Sequence, residues 1–451
     1  MRFLPHTPSD VARMLAVVGE AKVDDLFPTV PAALRASAAI DLAAGLGERE
    51  TFEALSALAA ANASPTSFQG AGCYRHFVPA AVSAVMGRAE FATSYTPYQP
   101  EVSQGTLQAS FEFQTYVARL MGLDVANASM YDGASAFAEA LLMAMRVHRG
   151  RSRFLVSAGI HPEYVEVART YLCGHGRGEI VEVPLAADGR TDLAALESML
   201  DEGVAAVATG YPNFFGAIDD LGGASRLAKR VGALSISVTS EALALALLRT
   251  PGSCGADIAV AEGQSFGLPP SFGGPGVGFF ATRTPYVRQM PGRLVGETVD
   301  EEGLRGYVLT LATREQHIRR EKATSNICTN QGLAALCVTV FLSLAGRKGL
   351  RALAIENARA AHRTAERLGR EAGIEMAFTA PFFNEFTVDV PDLDVVYARC
   401  AAGGLIPGVR VARLLPGRSE HRNRLLVAVT ECTAEADIDA LVSRLQARKA
   451  A

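Results

Sequence analysis

Six short apolar runs recur between residues 154 and 281: Phe154–Ser157, Ile180–Val183, Val204–Thr209, Leu234–Val238, Ile258–Ala261 and Val277–Ala281. Helical patterning fills most of the gaps, at Pro162–Leu172, Asp192–Leu200 and Gly222–Val231. Strands that are apolar on both faces and alternate with helices specify a mostly parallel sheet covered on both sides. The last two runs leave no room for a helix between them, so one is expected to run antiparallel. The segment that joins them, Glu262–Gly276, is rich in Gly and Pro. Gly supplies left-handed backbone and close approach, and Pro fixes φ and removes a donor. A loop of that kind after a strand marks either the edge of a ligand pocket or a turn packed on a neighbouring subunit.

The flanks read differently. Residues 1–63 pattern as an exposed helical arm that wraps a partner. Thr7-Pro-Ser-Asp10 caps a first helix, Val23-Asp-Asp-Leu-Phe makes a short turn, and Ala39–Glu48 and Phe52–Ala61 are further helices. Residues 64–345 form the large α/β domain. It opens on a loop carrying Tyr74, Arg75 and His76, then a short helix at Ala80–Gly87. Pro97 and Pro100 stiffen the segment bearing Tyr95 and Tyr98, three apart. Two phenols on a stiff segment either present hydroxyls to a ligand or pack at an interface. A long amphipathic helix follows from Gly105 to about Met121. Asp132 or Ser135 caps the helix Ala136–Val147, and Gly133 allows close approach there. Such a helix start can hold a phosphate, and it is also how any helix starts. Residues 300–350 are expected to be helical, with Leu333–Leu344 buried. From 346 to 451 a smaller α+β domain is expected, with strands near Phe386–Val390 and Leu425–Ala428 and helices at Leu393–Ala402 and Ala434–Arg448.

Composition narrows the class. The chain of 451 residues is 49% hydrophobic and carries a net charge of −4, which supports a large core and argues against a nucleic-acid surface. Its seven cysteines are scattered, with no CxxC pair and no zinc spacing, so free thiols in a reducing compartment and no metal are expected. The first residues lack the apolar core of a leader and no run of about 18 apolar residues occurs; a soluble cytoplasmic protein is the expectation. Lysine is scarce: Lys22, Lys229, Lys322, Lys348 and Lys449 are all there are.

Several strings are long enough to carry a family resemblance: Phe68-Gln-Gly-Ala-Gly72, Ser94-Tyr-Thr-Pro-Tyr-Gln-Pro-Glu-Val-Ser-Gln-Gly105, Glu262-Gly-Gln-Ser-Phe-Gly-Leu268, Phe272-Gly-Gly-Pro-Gly276 and Arg320-Glu-Lys-Ala-Thr-Ser-Asn-Ile-Cys-Thr329. Over nearly its whole length the chain resembles the P-protein of the glycine cleavage system, and its length and first residues resemble the alpha subunit of the split bacterial form. The resemblance implies a fold-type I pyridoxal-phosphate enzyme, with a mostly parallel large domain and a smaller α+β C-terminal domain. It implies decarboxylation of glycine, with the cofactor ring as electron sink, and passage of the aminomethyl group to the lipoyl arm of the H-protein. It also implies a beta subunit as partner, in a heterotetramer.

The family's catalytic subunit has a His-Lys-Thr-Phe string ahead of its Gly-Gly-Pro-Gly. Alignment on Phe266 and Gly273–Gly276 puts Gln264 at the position of the Schiff-base lysine, and a neutral amide cannot form an imine. Thr239 falls where the fold places an Asp beside the pyridine nitrogen, with Glu241 close behind. The resemblance thus implies a non-catalytic subunit, with pyridoxal phosphate covalently on the partner. Tyr95 and Tyr98 are the expected donors to that partner's cofactor phosphate. Arg75, His76, Glu101, Lys322 and Asn326 are candidates for the entrance or substrate tunnel, although Arg75 stands where the family commonly has Asp. Two other readings stay open: a self-sufficient pyridoxal-phosphate enzyme using Lys322, and a scaffold that only docks the H-protein.

Overall fold

The computed structural model describes residues 5–38, 40–62, 64–311 and 314–446. The chain divides into two compact units, Met1–Ser64 and Pro65–Ala451.

In the first unit the Thr7 side chain accepts the Asp10 N–H while the Asp10 carboxylate accepts the Thr7 N–H. This reciprocal cap opens the helix Pro8–Val18, which Gly19 closes in the left-handed region at φ 82°. A single turn, Val23–Leu26, and the helices Ala32–Ser37 and Glu48–Ala60 follow. The helix expected over Ala39–Glu48 is not formed: residues 40–47 are non-helical, and Ala39 lies outside the described residues. Gly45 and Gly47 account for the difference, because glycine disfavours helix and Gly47 is instead the extended N-cap of the next one. No described residue of this unit is buried, and Val17, Ile40, Leu42 and Phe52 are open to solvent.

The second unit is built on a seven-stranded sheet. Its strands are β1 (Val125–Ala126), β2 (Arg153–Ser157), β3 (Glu179–Val183), β4 (Val204–Gly210), β5 (Leu234–Thr239), β6 (Ile258–Glu262) and β7 (Gly278–Thr282), in the spatial order β1-β7-β6-β5-β4-β2-β3. Strands β3, β2, β4, β5 and β6 are parallel; β7 runs antiparallel to β6 and to β1, as the missing crossover helix requires. Strands β4, β5, β6 and β7 are buried at every position. On one face lies the Gly133–Val147 helix with Phe137, Leu141 and Met143 in the core. The helix Gln104–Met121 contributes Phe113 and Val117 to a second core with Phe266, Phe279 and Phe341.

Residues 294–310 are not helical. They form a hairpin, β8 (Leu294–Val299) and β9 (Arg305–Thr310), around a turn where Asp300 accepts the N–H groups of Glu302 and Leu304. The β-branched and aromatic residues Val295, Val299, Tyr307 and Val308 favour strands, and Gly303 at φ 80° allows the turn. Residues Arg320–Lys322 make one 3-10 turn rather than a longer helix.

A long helix then runs from Gly332 to Arg367, broken by Gly346 at φ 56°, ψ −179°. One 18-residue stretch within Gly332–Ala372 is apolar enough by length and composition to cross a membrane, and half of that stretch is buried inside the protein. Beyond it a four-stranded antiparallel sheet forms from Glu375–Met376, Glu385–Asp389, Arg424–Ala428 and Val409–Arg410, with helices Leu393–Ala402 and Glu435–Leu445. The expected end of the last helix, Arg448, lies outside the described residues. Thr66 and Ser67 pair with Leu405 and Ile406, and Phe68 is buried in this C-terminal core. The segment that precedes the large sheet in sequence is thus packed with the layer that follows it.

Candidate active site

In an open α/β sheet, pockets form outside the carboxyl ends of the strands. Here that edge collects Thr239 at the end of β5 and Glu241 beyond it, Glu262 at the end of β6 and Gln264 beyond it, residues 211–213 beyond β4, and the start of the Gly133–Val147 helix.

Gln264 is 4% exposed. Its Oε1 accepts the Tyr74 N–H at 2.9 Å and its Nε2 donates to the Leu268 carbonyl at 2.5 Å, so both ends of the amide are engaged. The Thr239 hydroxyl, buried, donates to the Tyr211 carbonyl at 2.7 Å. Tyr74 donates its phenol to Glu385 Oε2 at 2.8 Å, and Glu385 Oε1 accepts the Ala71 N–H at 2.7 Å. Burial lifts Glu385 to about 7 against these two donors. The cavity left between Tyr74, Asn213, Glu241 and Glu385 is about 10 Å³, room for no more than a single water.

His76 is buried and not at an entrance, contrary to the expectation for it. Its Nε2 donates to Glu241 Oε2 at 3.1 Å and its Nδ1 to Glu431 Oε2 at 2.9 Å. Burial alone would lower this imidazole; the two carboxylates outweigh it and hold it up to about 10. Burial likewise pushes against ionisation of Glu431, but His76 and the Phe77 N–H bring it down to about 2. A cationic His76 thus ties the large sheet to the C-terminal layer through one ring. The neighbouring Arg75 is exposed.

The remaining candidates gather elsewhere. Tyr95 is 82% exposed on an irregular segment, and with Thr96 and Arg293 it borders a separate cavity of about 210 Å³. Arg293, itself buried, donates to the Tyr98 hydroxyl at 3.1 Å and to Thr96 at 3.3 Å, and pairs with Glu315 at 3.4 Å. Glu101 is exposed in the turn that precedes the long helix, and Lys322 and Asn326 are exposed on the segment leading to Gly332. Asn330 at the end of that segment bonds Ser129 and borders the cavity beside Tyr95.

Glu262 escaped the reading from sequence as a site residue. It is a carboxylate at the last position of an otherwise apolar buried strand, and that unusual placement is the signal that points to it. Arg293 carried no such signal, since Thr96 and Tyr98, which it braces, lie 197 and 195 residues away.

These residues do not fit pyridoxal phosphate in this chain's own pocket. Gln264 offers no amine, Thr239 offers no anion, and a carboxyl group occupies the helix start.

The architecture nevertheless defines the class, the fold-type I pyridoxal-phosphate fold. A NifS-like protein matches with a TM-score of 0.62 at 14% identity, covering 85% of this chain and 98% of its own. A sphingosine-1-phosphate lyase of Burkholderia pseudomallei gives 0.64 at 16%, covering 90% and 92%. The family model described as glycine cleavage system P-protein matches residues 1–445, and the chain belongs to that family. It is 55% identical over 432 residues, 96% of each chain, to a probable glycine dehydrogenase (decarboxylating) subunit 1 of Anaeromyxobacter dehalogenans. It is 48% identical over 457 aligned positions, 99% of each chain, to the protein of that name in Sorangium cellulosum. A crystal structure of glycine decarboxylase (P-protein) in inhibitor-bound form superposes with a TM-score of 0.90 at 46% identity, covering 99% of both chains.

Proposed function

We propose that this chain is the non-catalytic alpha subunit of a cytoplasmic decarboxylating glycine dehydrogenase. A beta subunit carries the pyridoxal phosphate and its lysine. Together they release carbon dioxide from glycine and deliver the aminomethyl group to the lipoyl arm of the H-protein; the bound cofactor supplies the electron sink. The part of this chain is to position. Tyr95 and Tyr98 stand on a segment braced by Arg293, and their hydroxyls complete the phosphate site of the partner. Arg75, Glu101, Lys322 and Asn326 are exposed and border the route of glycine or of the lipoyl arm. The exposed apolar residues of the N-terminal unit cover the partner.

The observation that carries this reading is Gln264, a buried amide with both ends bonded, where the resemblance calls for an amine. The test is borohydride reduction of the reconstituted complex with pyridoxal phosphate, followed by mass mapping. Label on the partner alone is expected. Label on Lys322 transfers catalysis to this chain. Full turnover with both tyrosines changed to Phe leaves it a scaffold.

A further inference from the structure

The Gly133–Val147 helix is 15 residues long, and its start points into the strand edge that forms the pocket. A helix start carries unpaired N–H groups and the positive end of the helix dipole, an arrangement suited to a phosphate. In this chain the position is filled from within. Glu262 Oε2 accepts the Gly133 N–H at 2.9 Å, and Oε1 accepts the N–H groups of Gln264 at 3.0 Å and Val277 at 2.9 Å. The carboxylate is 6% exposed. A Cβ on Gly276 would lie 2.9 Å from Glu262 Oε2, and a Cβ on Gly133 would lie 2.5 Å from the Tyr164 hydroxyl. The two glycines therefore make room for an internal carboxylate and a phenol. Burial lifts Glu262 to about 7, and the three N–H donors oppose that rise.

We infer that Glu262 is a built-in carboxyl group that closes this chain's own phosphate cradle, so that the missing lysine is not the only barrier to a phosphate ester in this pocket. The inference rests on the reading that the cofactor is carried by the partner, and it adds a cause that acts before any covalent chemistry. A phosphate that would use the Gly133 N–H must displace this carboxyl group from it, and where Glu262 is ionised it meets a like charge as well. The Gly133 N–H is taken by Glu262 and the Ser135 N–H by Asp132.

The inference separates two substitutions. Gln264→Lys supplies an amine and leaves the cradle occupied. Glu262→Ala removes its carboxyl group and volume from the cradle and leaves Asp132 as the cap on the Ser135 N–H. The full chain is melted in inorganic phosphate and in chloride at matched ionic strength, and titrated with pyridoxal phosphate followed by borohydride reduction and mass mapping. Phosphate is expected to raise the melting temperature of Glu262→Ala by several degrees and to leave the wild-type protein unmoved. Pyridoxal phosphate is expected to label position 264 in the double variant and not in Gln264→Lys. Equal phosphate shifts in wild type and Glu262→Ala, or labelling of the single Gln264→Lys variant as readily as of the double, overturns the inference. Should Glu262→Ala fail to fold, labelling of Gln264→Lys alone still decides against it. Labelling of the wild-type chain is a different failure: it removes the reading that the cofactor belongs to the partner.

Discussion

Arg293 grips Tyr98 twice. Its guanidinium donates to the phenol oxygen at 3.1 Å, and its central carbon sits 5.2 Å from the centre of the same ring. Hydrogen bond and cation–π contact together fix both ends of a half-exposed side chain. On the proposal that Tyr98 reaches the partner's cofactor, Tyr98→Phe is expected to lower turnover of the reconstituted complex about tenfold, the worth of one hydrogen bond to a charged group. Thermal stability of the isolated chain should hardly change. Turnover at the wild-type level would remove Tyr98 from the site.

Arg293→Lys tests the brace. A lysine keeps the charge but cannot span Tyr98, Thr96 and Glu315 together. The expected phenotype is that of Tyr98→Phe: weaker retention of pyridoxal phosphate by the complex, read by dialysis and absorbance. Unaltered retention would mean that Tyr98 finds its place without the guanidinium.

The His76 clamp predicts a stability loss. His76→Leu leaves Glu241 and Glu431 buried without their cation, and removing one partner of a buried pair typically costs about 3–5 kcal/mol. Urea unfolding measures it. A cost below about 1 kcal/mol would mean that the carboxylates find water or new donors.

The same groups set a pH profile. His76 is raised from its ordinary value to about 10, so its stabilisation is whole below pH 6.5 and is lost as pH climbs toward 10. Glu431, held down at about 2, stabilises above pH 4.5 and loses that as pH falls toward 2. Glu385, lifted to about 7, has the opposite sign to Glu431: it favours the folded state below pH 4.5, and its share is lost as pH rises through 7. Glu385→Gln should therefore flatten the decline in stability between pH 5 and pH 8. An unchanged slope would show that Glu385 is already ionised at the acid end.

Gly216 is at φ 91°, and a Cβ there would lie 2.1 Å from the Glu385 carbonyl oxygen. Backbone cannot retreat as a side chain can. Gly216→Ala should cost about 2 kcal/mol or more, as strain at a left-handed position adds to overpacking. Gly105→Ala meets nothing within 4 Å and serves as the control.

The large sheet was legible because its central strands are apolar on both faces and the helices between them are amphipathic. The direction of β7 followed from a gap too short for a helix. The hairpin at 294–310 was not legible as such: its exposed tip carries Asp300, Glu301 and Glu302, whose charge resembles a solvated helix end. The site was legible only where a missing group announced itself, as with Gln264 and Thr239. What fills the pocket comes from distant parts of the chain. Glu262 is completed by N–H groups of residues 133 and 277, and His76 by carboxylates 165 and 355 positions away. No local pattern encodes such meetings.

A pocket kept open for a ligand is a standing void, and a protein that keeps one is firmest only while the ligand is present. In this chain the groups at that edge are bonded to the chain itself, Gln264 to Tyr74 and Leu268, Thr239 to Tyr211 and Glu262 to the helix start. Its melting temperature should therefore be indifferent to how much cofactor the cell holds. On the proposed reading that a partner carries the cofactor, this chain is the half that keeps its shape through a shortage.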